Sequence, residues 1–229
     1  MLVLGIDSST EVGTASLFGE SKLIGEKLLN LEQTHSQRLM PQIVNLIESC
    51  GFKPADITGI GITKGPGSFT GTRIGMATGK ALAHSLEVPI VGISTLEVLA
   101  YNLRFGRHYV CPMIDARGGR VFSCLYRADD GLNREIKEAL MEPKELVTQL
   151  ETIEETIYFA GEVVASYQTA IEAKITSPKF VTSLFNIPRA GAVVELAAKR
   201  LKEGVEDDLF SLTPCYLKRS QAEIQWEQR

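Results

Sequence analysis

Read from its amino terminus, the chain gives three short β-prone runs, a helix, a strand, a helix, a strand and a helix, and from Tyr109 the same order starts again. This repeated βββαβαβα order is the strongest constraint on the fold, because it restricts the chain to the α/β class. In the first half the strands are "MLVLGID" up to Asp7, "GTASLF" from Gly13 to Phe18 and "KLIGEKLL" from Lys22 to Leu29, separated by the turns "SSTEV" and "GES". A helix in "SQRLMPQIVNLIESCG" follows from apolar residues at a 3.6-residue period and closes on Gly51; Pro41 either begins its regular part or kinks a longer helix. Then come a strand from Thr58 to Thr63, a helix from Thr70 to Leu86, a strand from Val88 to Ile93 and a helix from Thr95 to Tyr101.

The second half opens with "YVCPMID" to Asp115, "RVFSCLY" from Arg120 to Tyr126 and "NREIKEALM" from Asn133 to Met141. Helical "KELVTQL", strand-like "TIYFAG", helical "VVASYQTAI", strand-like "KFVTSL" and the amphipathic "RAGAVVELAAKRLKEG" complete it. Both halves begin with a strand ending in Ile-Asp (Ile6-Asp7 and Ile114-Asp115), which points to a duplicated α/β domain; two unrelated α/β halves are the alternative. The stretch "NLRFGR", Asn102 to Arg107, divides an amino-terminal subdomain of residues 1–104 from a carboxy-terminal one of residues 105–229 that ends in a largely polar surface tail with Tyr216, Leu217, Ile224 and Trp226 as its apolar members.

Composition removes several function classes. A formal net charge of −4 argues against free-standing nucleic-acid binding, which relies on a basic face. The four cysteines (Cys50, Cys111, Cys124, Cys215) are dispersed, with no C-x-x-C and no histidine at ligand spacing, so reduced and mostly buried thiols are expected. The first strand ends at Asp7 with no basic region ahead of it, and nowhere is there an uncharged apolar run long enough to span a bilayer; a soluble cytoplasmic protein is the expectation.

The stretch "TKGPGSFTGTRIGMATGK", Thr63 to Lys80, looks like a phosphate loop followed by a helix. No Gly-Lys-Ser/Thr occurs in it, and Gly65, Gly67 and Gly71 are spaced one residue too widely for the dinucleotide fingerprint. What remains is a stiff turn whose Ser68 or Thr70 caps the helix, with anion binding at the helix start as the competing reading. Behind it Gly71, Gly75 and Gly79 recur every four residues, continued by Ala83. Each glycine costs about 1 kcal/mol of helix propensity, an expense offset by close approach of another backbone. Ile74, Ala77, Thr78, Ala81 and Leu82 form a separate face, assigned to the chain's own sheet. The earlier helix is apolar over roughly 160°, more than one buried stripe requires. Either it is deeply buried, or Leu39, Ile43 and Ile47 serve the core while Met40, Val44 and Arg38 face a partner.

Other candidates are weaker. Asp7 with Ser8 and Ser9 suits either a metal-bound phosphate or a capped turn, and Asp115 is its counterpart. The histidines His35, His84 and His108 have no metal spacing, and "RGGR", Arg117 to Arg120, reads as a solvated hairpin turn or a nucleic-acid contact. No serine lies in a nucleophile elbow.

Taken together, "LGIDSSTE", "HSQRLMPQI", "GPGSFTGTRIG", "GISTLEVLA", "MIDARGGRVF" and "PCYLKR" resemble the bacterial TsaB-type (YeaZ) family of tRNA threonylcarbamoyladenosine biosynthesis over nearly the whole chain. The resemblance implies a duplicated actin/hexokinase/Hsp70-like (ASKHA) fold and a role beside a sister protein, TsaD, which carries the transferase site, with the ATPase TsaE joining them. It implies no catalytic residue, cofactor or metal in this chain. In the sister, a histidine pair binds metal at the positions of Thr95 and Leu99 here, and its glycine-rich nucleotide loop corresponds at best to "FAGEV", where Gly161 stands alone. The partner surface implied for TsaD, or for a second copy, comprises Arg38, Met40, Val44 and Ile47 of the first helix and Thr72, Arg73, Gly75, Met76, Gly79, Lys80 and Ala83 of the second. Contact with tRNA would be indirect or weak. On this view Gly75→Leu abolishes pairing and spares the fold. The alternative is an ATP-dependent kinase or ATPase of the same fold using Asp7 and Asp115 with magnesium; the older label of glycoprotease finds no nucleophile–base pair here.

Overall fold

A computed structural model of the chain describes residues 1–29 and 35–217. Ile224, Trp226 and the rest of the expected tail beyond Leu217 lie outside the described residues. The first half contains β1 (Leu2–Asp7), β2 (Gly13–Gly19), β3 (Lys22–Leu29), α1 (His35–Ser49), β4 (Gly59–Thr63), α2 (Phe69–Leu86), β5 (Ile90–Ile93) and α3 (Thr95–Tyr101). The second contains β6 (His108–Asp115), β7 (Val121–Ala128), β8 (Leu132–Met141), α4 (Pro143–Leu150), β9 (Ile157–Ala160), α5 (Val164–Glu172), β10 (Pro178–Phe180) and α6 (Ala190–Lys202). The expected strand "KFVTSL" is shorter than its sequence suggests, giving way to a 3-10 turn at Ser183–Phe185.

Each half builds one mixed five-stranded sheet, and the two sheets have the same topology. The orders are β3-β2-β1-β4-β5 and β10-β9-β6-β7-β8. In both, the first three strands form an antiparallel meander and the later two join in parallel next to the opening strand. The duplicated α/β architecture is therefore present in the three-dimensional structure as well as in the element order.

Helix boundaries follow local chemistry. Helix α1 starts at His35, so Pro41 lies inside a longer helix. It closes at Gly51, whose φ of +80° is a conformation glycine adopts without penalty, while Phe52 N–H donates to the Ile47 carbonyl and Gly51 N–H to that of Glu48. Helix α2 is capped by Ser68, whose Oγ accepts from Gly71 N–H at 3.2 Å.

The layers are exchanged between the halves. Helices α1 and α2 cover one face of the first sheet, with Leu39, Ile43, Leu46, Ile47, Met76 and Ala83 packed on Leu4, Ile6, Ile60 and Ile62. Its other face is covered by α6, from the far end of the sequence, through Val193, Val194 and Ala197 against Val3, Val91 and Ile93. Helix α3 in turn packs on the second sheet, placing Leu96, Leu99 and Ala100 against Val110, Ile114, Phe122 and Cys124. Helices α4 and α5 cover the outer face of the second sheet. The segment Asn102–Arg107 thus separates the sheets but not the layers, because an amphipathic helix does not encode which of two similar sheets it will cover.

Between the sheets, Arg200 of α6 donates to both carboxylate oxygens of Glu97 on α3, at 2.6 and 2.8 Å. Both side chains are part-exposed, so the pair is worth less than a fully buried one and more than a surface one. Glu97→Ala is expected to cost about 1–2 kcal/mol and to lower the thermal midpoint by a few degrees, as read by calorimetry.

All four cysteines are free; Cys111 and Cys124 are buried, Cys50 and Cys215 half-buried. Loss of hydration pushes the Cys111 thiol up to about 12. No helix among the described residues is long and apolar enough to cross a membrane.

Candidate partner surface and interdomain cleft

The turn between β1 and β2 lies directly on the start of α2. Asp7, fully buried at the end of β1, accepts at Oδ1 from Ser9 N–H (3.2 Å), Ser9 Oγ–H (2.6 Å) and Thr63 Oγ1–H (2.5 Å). Ser8 Oγ donates to the Gly71 carbonyl at 2.8 Å, and Ser68 N–H donates to the Ser9 carbonyl at 2.7 Å. A Cβ on Gly67 would overlap the Ser9 carbonyl oxygen, and one on Gly71 the Ser8 carbonyl oxygen. Two main-chain oxygens therefore lie against the helix start, and their negative dipole ends oppose any incoming anion. The loop is a structural turn locked by the chain's own backbone.

The same geometry corrects the expected role of the glycine row. A Cβ on Gly75 would sit 2.5 Å from Ser8 Oγ, and one on Gly79 would overlap the Ile62 side chain. Gly75 and Gly79, expected to meet a partner, are seated on the turn after β1 and on β4 of their own chain. Thr72, Met76, Ala83 and Ile47, also expected at the partner surface, are buried with them. The four-residue spacing does announce a close neighbour, but that neighbour is the turn carrying Ser8. Conversely, Ala77 and Ala81, assigned to the sheet, are exposed, while Ile74 and Leu82 are half-buried at the margin of the core that α1 shares.

The outer surface of this helix pair retains Met40 and Val44 of α1, 40% and 39% exposed although apolar, beside the outward Arg73, Ala77, Ala81 and His84 of α2. Arg38 is half-buried on α1.

Lys80 and Arg73 have another occupation. After α6 the chain returns along α2 as a strap. Asp207 N–H donates to the Ile90 carbonyl, and Gly92 N–H to Asp207 Oδ2 at 2.8 Å. Lys80 Nζ donates to the carbonyls of Phe210 (3.2 Å) and Leu212 (2.9 Å), and Cys215 N–H to that of Lys64 (2.6 Å). Leu212 is buried in the first core. The Arg73 guanidinium stacks 3.7 Å from the Phe69 ring centre and its Nε donates to Tyr216 Oη at 2.7 Å. The strap is hard to see in the sequence because many of its anchors are backbone groups; Leu209, Leu212 and Leu217, which pack on the cores, are its apolar side-chain signals.

A cleft of about 680 Å³ opens between the halves. Glu11, Phe69 and Arg73 line one wall and Asp115, Arg117 and Glu162 the other, with Tyr216 of the strap at its mouth. Asp115 Oδ1 accepts from Arg117 N–H at 2.9 Å. Glu162 lies at the exposed rim of the cleft, and its carboxyl is held above the ordinary carboxylate range, first by partial loss of hydration and then by the negative charges of Glu11, Asp115 and Asp7. Gly161, the lone glycine of "FAGEV", has a φ of +126° and no room for a Cβ beside the Met113 carbonyl, so it shapes the turn from β9 into α5.

The remaining candidates are dispersed. Thr95 and Leu99 are buried in α3. His84 is exposed near the end of α2, and His108 Nε2 lies 2.8 Å from the Leu103 carbonyl. Arg117, Gly118 and Gly119 form an outward hairpin turn with positive φ. Among the described residues no group of three or more His, Cys, Asp or Glu side chains could hold a metal ion.

Residues 28–226 match the family described as TsaD: tRNA N6-adenosine threonylcarbamoyltransferase. The tRNA threonylcarbamoyladenosine biosynthesis protein TsaB of Bacillus subtilis (strain 168) is 33% identical over 231 residues, covering 99% of this chain and 98% of that protein. Its namesake from Escherichia coli (strain K12) is 32% identical over 148 residues, 63% of this chain and 64% of that one. Among solved structures, YeaZ from Pseudomonas aeruginosa superposes with a TM-score of 0.79 at 25% identity, over 94% of this chain and 99% of that chain.

Proposed function

The chain belongs to the TsaB family of tRNA threonylcarbamoyladenosine biosynthesis proteins, and on that premise we propose that it is a non-catalytic partner of a TsaD-type transferase, which a TsaE-type ATPase joins. The observation that carries this reading is the exposed apolar pair Met40 and Val44 next to the small, outward Ala77 and Ala81, a surface suited to another protein's helix. The contact surface is proposed as Met40 and Val44 with Arg38 and the outer face of α2; a second copy of the chain is its alternative occupant. Contact with tRNA is indirect, the chain carries no cofactor of its own, and its compartment is the cytoplasm. Against an ATPase using Asp7 and Asp115, Asp7 is buried with Oδ1 accepting three hydrogen bonds, and the turn beside it presents carbonyl oxygens where a phosphate would need donors.

Reconstitution tests the proposal. Threonylcarbamoyl transfer to tRNA by the TsaD-type and TsaE-type proteins is expected to depend on this chain, which by itself neither transfers the group nor turns over Mg-ATP. Full activity without it, or turnover by the chain alone, would refute the reading.

A further inference from the structure

The strap runs from one half of the molecule to the other. Leu209 and Leu212 pack on the first core, whereas Leu217 packs on the core that holds Ile114 and Phe122 of the second sheet. Its last described residues, Cys215, Tyr216 and Leu217, line the cleft between the halves. From that lip the sequence continues through Lys218 to Arg229, which lie outside the described residues. At about 3.3 Å per residue an extended segment of that length reaches roughly 40 Å, ample to enter and line a cleft of about 680 Å³.

Two features of that sequence match the cleft. Ala222, Ile224 and Trp226 alternate with Glu223, Gln225 and Glu227, the period-two pattern of an extended segment with one apolar side. Facing it the cleft offers Phe69 on one wall, 42% exposed although aromatic, and Ile114 and Phe122 on the other. Lys218 and Arg219 follow directly on the lip, beside a lining that includes Glu11, Asp115 and Glu162. Of the two arginines there, Arg73 is engaged by Phe69 and Tyr216. Such a lining attracts a basic segment and repels a bare anion. We propose that residues 218–229 fold back into the cleft, with Trp226 seated between Phe69 and Phe122 and the Lys218–Arg219 pair against the lining acids. The chain then fills its own cleft and leaves no place there for a separate ligand. This occupancy is intramolecular and holds whether or not the chain pairs with a transferase.

Trp226 is the sole tryptophan of the chain, so the fluorescence of the intact protein reports on this segment alone. Its emission is expected to be blue-shifted, and its quenching by acrylamide several-fold weaker than that of N-acetyltryptophanamide, at every protein concentration. Nuclear Overhauser contacts from the Trp226 indole to the Ile114 methyl groups should place it in the cleft. Phe69→Ala, and separately Glu11→Lys combined with Glu162→Lys, change exposed side chains and should each restore most of the quenching in a protein whose circular dichroism remains that of the wild type. A Trp226 as open to acrylamide as the free indole, or shielding that survives both variants, would overturn the proposal. So would shielding that grows with protein concentration, which would assign the cleft to the tail of a second copy.

Discussion

Gly71→Leu is expected to unfold the protein at a much lower temperature rather than to disturb any partner. Its Cβ would occupy the space of the Ser8 carbonyl oxygen, a backbone atom fixed by the β1–β2 turn, by the Ser8 Oγ bond to the Gly71 carbonyl and by the Ser9 carbonyl's bond from Ser68. Overpacking against backbone costs about 3 kcal/mol, far more than the ~1 kcal/mol of helix propensity regained. A fall of about 10 °C in thermal midpoint follows. Gly75 offers an internal control. Its obstacle is the Ser8 hydroxyl, so Gly75→Ala should be tolerated better than Gly71→Ala, while Gly75→Leu should also destabilise the isolated protein. That outcome replaces the expectation that Gly75→Leu spares the fold. If calorimetry found Gly71→Leu as stable as the wild type, the packing of α2 on the turn would be wrong.

The double substitution Met40→Asp with Val44→Asp is expected to do the reverse. Both side chains are apolar and solvent-exposed on the same side of α1, so carboxylates there should change the free protein by no more than about 0.5 kcal/mol. At the centre of an apolar contact the same two charges would lose their hydration without a counter-charge, costing at least about 3 kcal/mol of association, or roughly 100-fold in affinity. Titration of the TsaD-type protein with wild type and variant measures this directly. Equal affinity would move the contact elsewhere on the chain, whereas a variant that binds poorly because it is unfolded would be exposed by its thermal midpoint.

Local pattern made part of this legible. The doubled element order, the inward Leu39 and Ile43, the Ser68 cap and the Gly51 terminus each rest on neighbours a few residues apart in the chain. The glycine row was legible as a cost but not as a contact, since spacing states that something comes close without stating what. Turning α2 to seat Gly75 on Ser8 moved Thr72, Met76 and Ala83 inward and Ala77 outward, which exchanged the two faces assigned from periodicity. Glu162 gave no local signal, because both the partial loss of hydration and the charges of residues 7, 11 and 115 that raise its affinity for protons come from distant parts of the chain. The strap was hidden for a related reason, being held largely through main-chain oxygens that any sequence possesses.

Because α6 roofs the first sheet and α3 the second, neither repeat is an autonomous folding unit. A fragment ending at the Asn102–Arg107 crossing would leave Val3, Val91 and Ile93 bare to water. The exchanged helices make the halves mutually dependent: after cleavage at that crossing, each piece is expected to keep its fold only while the other stays bound to it.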